Sequence, residues 1–328
     1  MVAALAVLAM AAGLAGLRRA WTSAPGPARG DTVLVVAPGS SPPRIARELA
    51  AAGVLARPRL FLWGLRLSGA GGDLKAGRYR FPRPASCDRV LADLRAGRTA
   101  KLWITLPEGL WLDEAVGLMA RGLGLDSLDL ARRVRDPGAW DHPFLAGRPD
   151  LEGFLFPYTY AVEYPPDAGA LLDQVLDRCA GVLAELADRA PADWPLDTVD
   201  WVTLASIVEA EARLDEERPR IAAVYLNRLR RGMRLEADPT VMYALGERRP
   251  RLYFKHLEVD SPYNTYRRAG LPPGPICSPG RRSLESLLAA DPADPALYFV
   301  ATGDGGHLFS ATLAEHRRKV AALRRGRP

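Results

Sequence analysis

The sequence predicts an α+β architecture: an N-terminal membrane helix, then small βα modules, then a larger mixed α/β domain. Three observations predict it. Residues 2–17 (VAALAVLAMAAGLAGL) carry no charge. A strand–turn–helix pattern near residue 32 returns 69 residues later. Beyond it, longer helical patterns alternate with loops rich in Pro, Gly and Asn.

The apolar run comes first. A spanning helix needs about 20 apolar residues, within a range of roughly 17–25. Arg18 and Arg19 follow the run at once, and no basic residue precedes it as in a secretory signal. We expect residues 1–20 to be a membrane anchor. Residues 21–30, containing TSAPGPARG, read as a linker.

Residues 31–100 read as a small module. Thr32–Val36 is a predicted strand, Pro38–Ser41 a turn, and Pro43–Ala52 a helix ending at Gly53. Pro58–Leu67 is helical, Gly77–Phe81 a strand, and Cys87–Arg95 a short helix. The opening pattern recurs at Leu102–Leu106, Pro107–Gly109 and Leu112–Arg121, ending at Gly122. Pro38, Ala46, Leu49 and Gly53 match Pro107, Ala115, Leu118 and Gly122. Modules of this kind include LysM domains, which bind glycan chains. We therefore expect a LysM-like module over 31–100, with a second such βα unit at about 101–124. Unrelated βα units sharing turn chemistry would give the same pattern. Residues 101–328 form the larger domain. In it, 123–150 is loop-rich, 168–186 helical, and 200–213 helical with Asp200 as its candidate cap.

Composition excludes several function classes. Apolar residues are 48% and charged residues 25%, ordinary values for a folded chain. Cys87, Cys179 and Cys277 are odd in number and lack CxxC spacing, so neither a zinc site nor a disulfide framework is indicated. His142, His256, His307 and His316 show no ligand spacing. The net charge of +6 rests on Arg far more than Lys, in a chain rich in Ala, Gly and Pro. That bias fits codon usage better than nucleic-acid binding. The basic tail, Arg317–Lys319 and Arg324–Arg327, reads as a solvated end.

Chemistry concentrates at DWVTLASIVEAEAR, residues 200–213. On a helix, Glu209 shares a face with Val202, Ala205 and Ser206; Glu211 shares one with Leu204, Ile207 and Val208. Neither glutamate lies on a polar stripe. Burial disfavours a carboxylate anion, and a protonated glutamate suits general-acid cleavage of a glycosidic bond. Each glutamate could instead cap the helix or pair with Arg213 or Arg218. Downstream, Ser261–Tyr266 (SPYNTY) and Gly270–Ile276 (GLPPGPI) are loops whose rings, amides and hydroxyls suit a sugar, or simply pack.

The motifs together resemble the MltG (YceG-like) family of endolytic murein transglycosylases. The resemblance rests on Leu204–Glu211 (LASIVEAE), Glu217-Arg218-Pro219, Val224–Leu229 (VYLNRL), Gly232–Leu235 and Asp238–Val241. It continues through Ser261–Tyr266, Gly270–Pro275, Tyr298–Val300 and Gly305–His307 with Phe309, and upstream to Leu106–Gly109 and Leu151–Pro157. One position departs: the family usually has Asp after Phe-Pro, and this chain has Tyr158.

The resemblance implies a single-pass inner-membrane protein whose catalytic domain lies outside the cytoplasm. It implies cleavage of the MurNAc–GlcNAc β-1,4 bond with formation of a 1,6-anhydro end. Glu209 matches the family's catalytic glutamate, and Glu211 is expected to support it. Asn227, Tyr263, Asn264, Thr265 and Tyr266 are the candidates for holding the sugar. No metal or organic cofactor is implied. The expected partners are peptidoglycan strands, the membrane and cell-wall synthases. A non-catalytic glycan-binding scaffold and a muramidase using water remain the alternatives.

Overall fold

The computed structural model describes residues 2–27 and 30–325. Residues 28 and 29 of the expected linker, and Arg327 of the basic tail, lie outside that range. The chain divides into two compact units: residues 1–103 with 161–167, and residues 104–160 with 168–328.

The first unit begins with helix α1 (Val2–Thr22), long and apolar enough to cross a membrane. Strand β1 (Asp31–Val36), helices α2 (Pro42–Ala51) and α3 (Pro58–Leu67), strand β2 (Gly77–Pro82) and helix α4 (Cys87–Ala96) follow. β1 and β2 pair antiparallel, with Leu34 opposite Tyr79 and Thr32 opposite Phe81. Tyr79 and Phe81 are fully buried among Ile45, Leu49, Phe61, Val90 and Leu94. Alternation along the strands puts these rings on the face covered by the helices.

The second unit is mostly helical; the two short strands given with it, 102–105 and 159–162, each have two residues in either unit. Strand β3 (Leu102–Thr105) leads to helices α5 (Leu112–Leu123) and α6 (Ser127–Arg133). Strand β4 (Thr159–Val162) precedes α7 (Ala168–Ala187), α8 (Thr198–Glu211), α9 (Arg218–Arg230) and α10 (Asp238–Leu245). Helix α11 (Arg281–Leu288), hairpin β5 (Tyr298–Ala301) and β6 (His307–Ser310), and helix α12 (Leu313–Arg325) complete the chain. All described sheets have two strands.

Helix α8 is the core of this unit. Every residue from Trp201 to Val208 is buried, because α9, α10 and α11 pack around it. A helix apolar on all sides belongs in the interior. Its cap is Asp197, whose carboxylate accepts Asp200 N–H at 2.8 Å, so the helix starts earlier than the sequence pattern suggested and Asp200 is not the cap.

The expected repeat also needs correction. Gly53 has a positive φ after α2, as predicted. Gly122 does not end α5, which runs on to a left-handed cap at Gly124. Ile104 explains why residue 122 is a glycine: a Cβ there would come within 2.6 Å of the Ile104 side chain. Helix α6 was hidden in a loop-rich stretch. It is short, and Asp126 starts it by accepting the N–H groups of Leu128 and Asp129.

Candidate active site

An open cleft of about 550 Å³ lies within the second unit. Glu209 and Glu211, at the C-terminal end of α8, both line it. The wall opposite is built by backbone pairing. Gly109 N–H donates to Ser278 O at 2.8 Å, and Ser278 N–H donates to Leu110 O at 2.9 Å. Ser206, one turn before Glu209, fixes the same loop to α8 by accepting Ile276 N–H at 3.0 Å. Segments distant in sequence thus converge on Glu209. Gly109 must be a glycine, since its φ of +74° is strained for other residues.

The Glu209 side chain is only 7% exposed. One oxygen lies 3.2 Å from Arg218 Nη1. The other accepts Gly280 N–H at 3.0 Å and Ser283 Oγ–H at 2.8 Å. Gly280 immediately precedes α11, so its N–H points from a helix N-terminus, where anions are favoured. Arg218 is held in turn by Asp215 at 2.9 Å, and it donates to Ser283 Oγ. The arginine that the sequence offered as a merely structural partner is therefore built into the site.

Glu211 has different company. Tyr225 O–H donates to it at 3.1 Å. Burial, with the nearby charge of Asp238, pushes the Glu211 carboxyl up to about 7. Glu211, Asp238 and His307 also line a side pocket of about 240 Å³, with Tyr266. Tyr266 O–H donates to Asp238 at 2.6 Å. His307 is clamped by Glu217, which accepts its backbone N–H at 2.9 Å and sits 2.7 Å from Nδ1.

The remaining expected sugar contacts occupy other positions. Asn227 is buried and donates to Asp294 O and Ala296 O. Asn264 is fully buried and donates to Leu257 O and Val259 O. Thr265 Oγ1 shares a hydrogen bond with Thr240 and accepts Ala237 N–H. Tyr263 packs its ring 4.8 Å from that of Tyr243. Of the five, Tyr266 is the one lining a cavity. Tyr158, at the position that departs from the family pattern, is half exposed beneath Arg178, and it lines neither cavity.

Several cleft residues escaped the sequence reading. Glu108 lies against Gly280 so closely that a Cβ there would come within 2.0 Å of it. Partial desolvation and the charge of Glu209 raise the Glu108 carboxyl above the usual range, against Arg218 and Arg282. Its signal was present in Leu106–Gly109, but without structure nothing tied that segment to α8. Trp111 lines the cleft with Arg248 stacked 4.6 Å from its ring. Arg248 is oriented by Glu114, at 2.8 Å.

The model of the YceG-like family matches residues 34–322. The chain belongs to the YceG-like family. Its motifs had indicated as much. It is 31% identical over 295 residues to an endolytic murein transglycosylase of Bacillus subtilis, covering 85% of this chain and 81% of the relative. It is 30% identical over 280 residues to an endolytic murein transglycosylase of Streptococcus pneumoniae, covering 76% of this chain and 50% of that longer protein. The crystal structure of a yceG-like protein of Listeria monocytogenes superposes with a TM-score of 0.61 at 31% identity, over 88% of this chain and 99% of that one.

Proposed function

We propose that this chain is a membrane-anchored lytic transglycosylase that cuts within murein strands, with Glu209 as catalytic acid and base. One observation carries the reading: a buried glutamate on the cleft wall, at the matching family position, with an arginine and two further donors on its oxygens. Relatives bearing that activity in their names support it.

In this mechanism, protonated Glu209 gives its proton to the bridging oxygen of the MurNAc–GlcNAc bond as the C1–O bond breaks. The resulting carboxylate takes the proton of the MurNAc C6 hydroxyl. That oxygen attacks C1 and closes a 1,6-anhydro ring, so no water enters and Glu209 ends protonated again. Arg218, Gly280 N–H and Ser283 stabilise the anion between the steps. A second catalytic carboxylate is not required. Glu211 shapes the far side of the cleft with Asp238 and Tyr266. Trp111 offers an aromatic wall for a sugar ring. Asn227, Tyr263, Asn264 and Thr265 hold the surrounding loops in place. The antiparallel β1–β2 pair with α2 and α3 between its strands supports reading the first unit as a LysM-like glycan-binding module. An enzyme tethered through α1 would meet strands as synthases release them and terminate their growth.

Incubating the purified chain with glycan strands and analysing the products by mass spectrometry tests this. The expected products are internal fragments with 1,6-anhydro ends. Reducing ends would instead identify a water-using muramidase, and intact strands a binding scaffold.

A further inference from the structure

The end of α1 is built into the first unit. The Trp21 ring stacks on Phe61 at 6.4 Å, with 11° between the planes. Gly64 makes room for it: a Cβ there would come within 2.1 Å of the indole. Arg57 Nη1 donates to Ala20 O at 3.1 Å. Three contacts therefore tie the last turn of α1 to α3 and the residue before it.

Length then places α3 in depth. The candidate span Ala4–Thr22 has 19 residues, with Arg18 and Arg19 near its C-terminal end. At about 1.5 Å per residue it spans about 28 Å, against a hydrocarbon core of about 30 Å. A span this short has no helix to spare between lipid and module. With α1 read as the span, Trp21 falls at the boundary, and α3, packed on Trp21, falls at the level of the headgroups.

The outer face of α3 carries what that level favours. Arg59, Trp63, Arg66 and Leu67 follow helical spacing and are all exposed, Trp63 by 60% and Leu67 by 75%. The helix has no acidic residue. Tryptophan prefers the membrane interface, and arginine can rest its stem on apolar surface while its head reaches phosphates.

We propose that the outer face of α3 lies on the lipid surface, with Trp63 and Leu67 at headgroup depth and Arg59 and Arg66 on anionic lipid phosphates. This rests on the reading of α1 as a membrane span. The contact would fix the first unit against the bilayer instead of leaving it on a free tether.

The test uses the full chain in vesicles of phosphatidylglycerol and phosphatidylcholine whose acyl chains carry bromine near the headgroup. Bromine quenches tryptophan emission on contact. Comparing wild type with Trp63→Phe isolates Trp63, and the expected result is that most of its emission is lost. The double variant Arg59→Glu/Arg66→Glu should restore that emission while still floating with the vesicles. If Trp63 emission survives in wild-type chains that float with vesicles, or stays quenched in the double variant, this inference is wrong and the anchor reading stands. Chains that do not float would overturn both.

Discussion

Glu209 and Glu211 stand two residues apart on one helix, yet the fold gives them opposite neighbours. At about 100° per residue they point roughly 160° apart around α8. Glu209 faces Arg218, a backbone N–H at the start of α11 and a serine hydroxyl. Glu211 faces Tyr225 and another acid, Asp238, and its carboxyl is pushed up to about 7. The first environment accommodates a negative charge. The second penalises charge. Helix geometry thus points two identical side chains into different surroundings, and what packs across from each sets the contrast.

Removing the arginine should blur this contrast most. Arg218→Met leaves Glu209 buried without its cation, and breaking a buried pair in this way costs about 3–5 kcal/mol. Turnover should fall by about 10²-fold or more, as for lost acid–base assistance. Thermal melts beside single-turnover assays would check both parts, and Arg218→Lys should recover some of each. A variant as stable and active as wild type would mean that the two glutamates do not differ in the way described.

The second glutamate should respond mainly to pH. A carboxyl raised to about 7 holds its proton longer in the folded state than in the unfolded one. The folded state then binds more protons between about pH 4.5 and 7, so stability falls as pH rises through that window. Glu152 behaves alike: it is buried beneath the cleft, accepts Leu112 N–H, and is pushed by burial up to about 7. Each group accounts for up to about 3 kcal/mol of lost stability above the window. Glu152→Gln and Glu211→Gln should therefore flatten the melting profile between pH 5 and pH 8. Glu211→Gln should cost turnover only about tenfold, far less than changes at Glu209.

Glu108 sharpens the comparison from the Glu209 side. Its carboxyl is raised by partial desolvation and by the nearby charge of Glu209. Glu108→Gln should change turnover by a few-fold at most and shift the acidic limb of the pH–rate profile. An unchanged profile would remove Glu108 from the electrostatics of the cleft.

The smallest effect on chemistry is expected at Asn264. Asn264→Ala leaves two part-buried carbonyls without this donor, costing about 1 kcal/mol of stability. Folded molecules should keep their KM. A raised KM at unchanged stability would return Asn264 to the sugar.

That residue also shows where sequence reading stops. The apolar run and α8 were legible from local apolar composition, the first strand and helices from periodicity, and the two glutamates from the motif that holds them. The polar loop residues were legible as important, but not in what they do. A loop crossing the interior must find partners for its own backbone groups: Asn227 and Asn264 donate to loop carbonyls, and Thr265 accepts the N–H of Ala237. Glu108, Trp111 and Arg218 are brought to the cleft by contacts between distant segments, such as the pairing of 109–110 with Ser278. No local pattern announces such contacts. Helix ends shifted for the same reason: Asp197 and Gly124 act through cap geometry that a periodicity count passes over.

The central claim is that Glu209 moves the proton in both steps. Glu209→Gln keeps the shape and offers a hydrogen-bonding amide, but has no proton to give the leaving oxygen. The direct measurement is the rate of 1,6-anhydro end formation by the purified, folded variant, with melting and glycan binding recorded on the same preparation. Binding and melting should stay close to wild type, with the rate reduced by about 10²–10⁴-fold or more. A folded variant that still forms anhydro ends at a rate near wild type would contradict it.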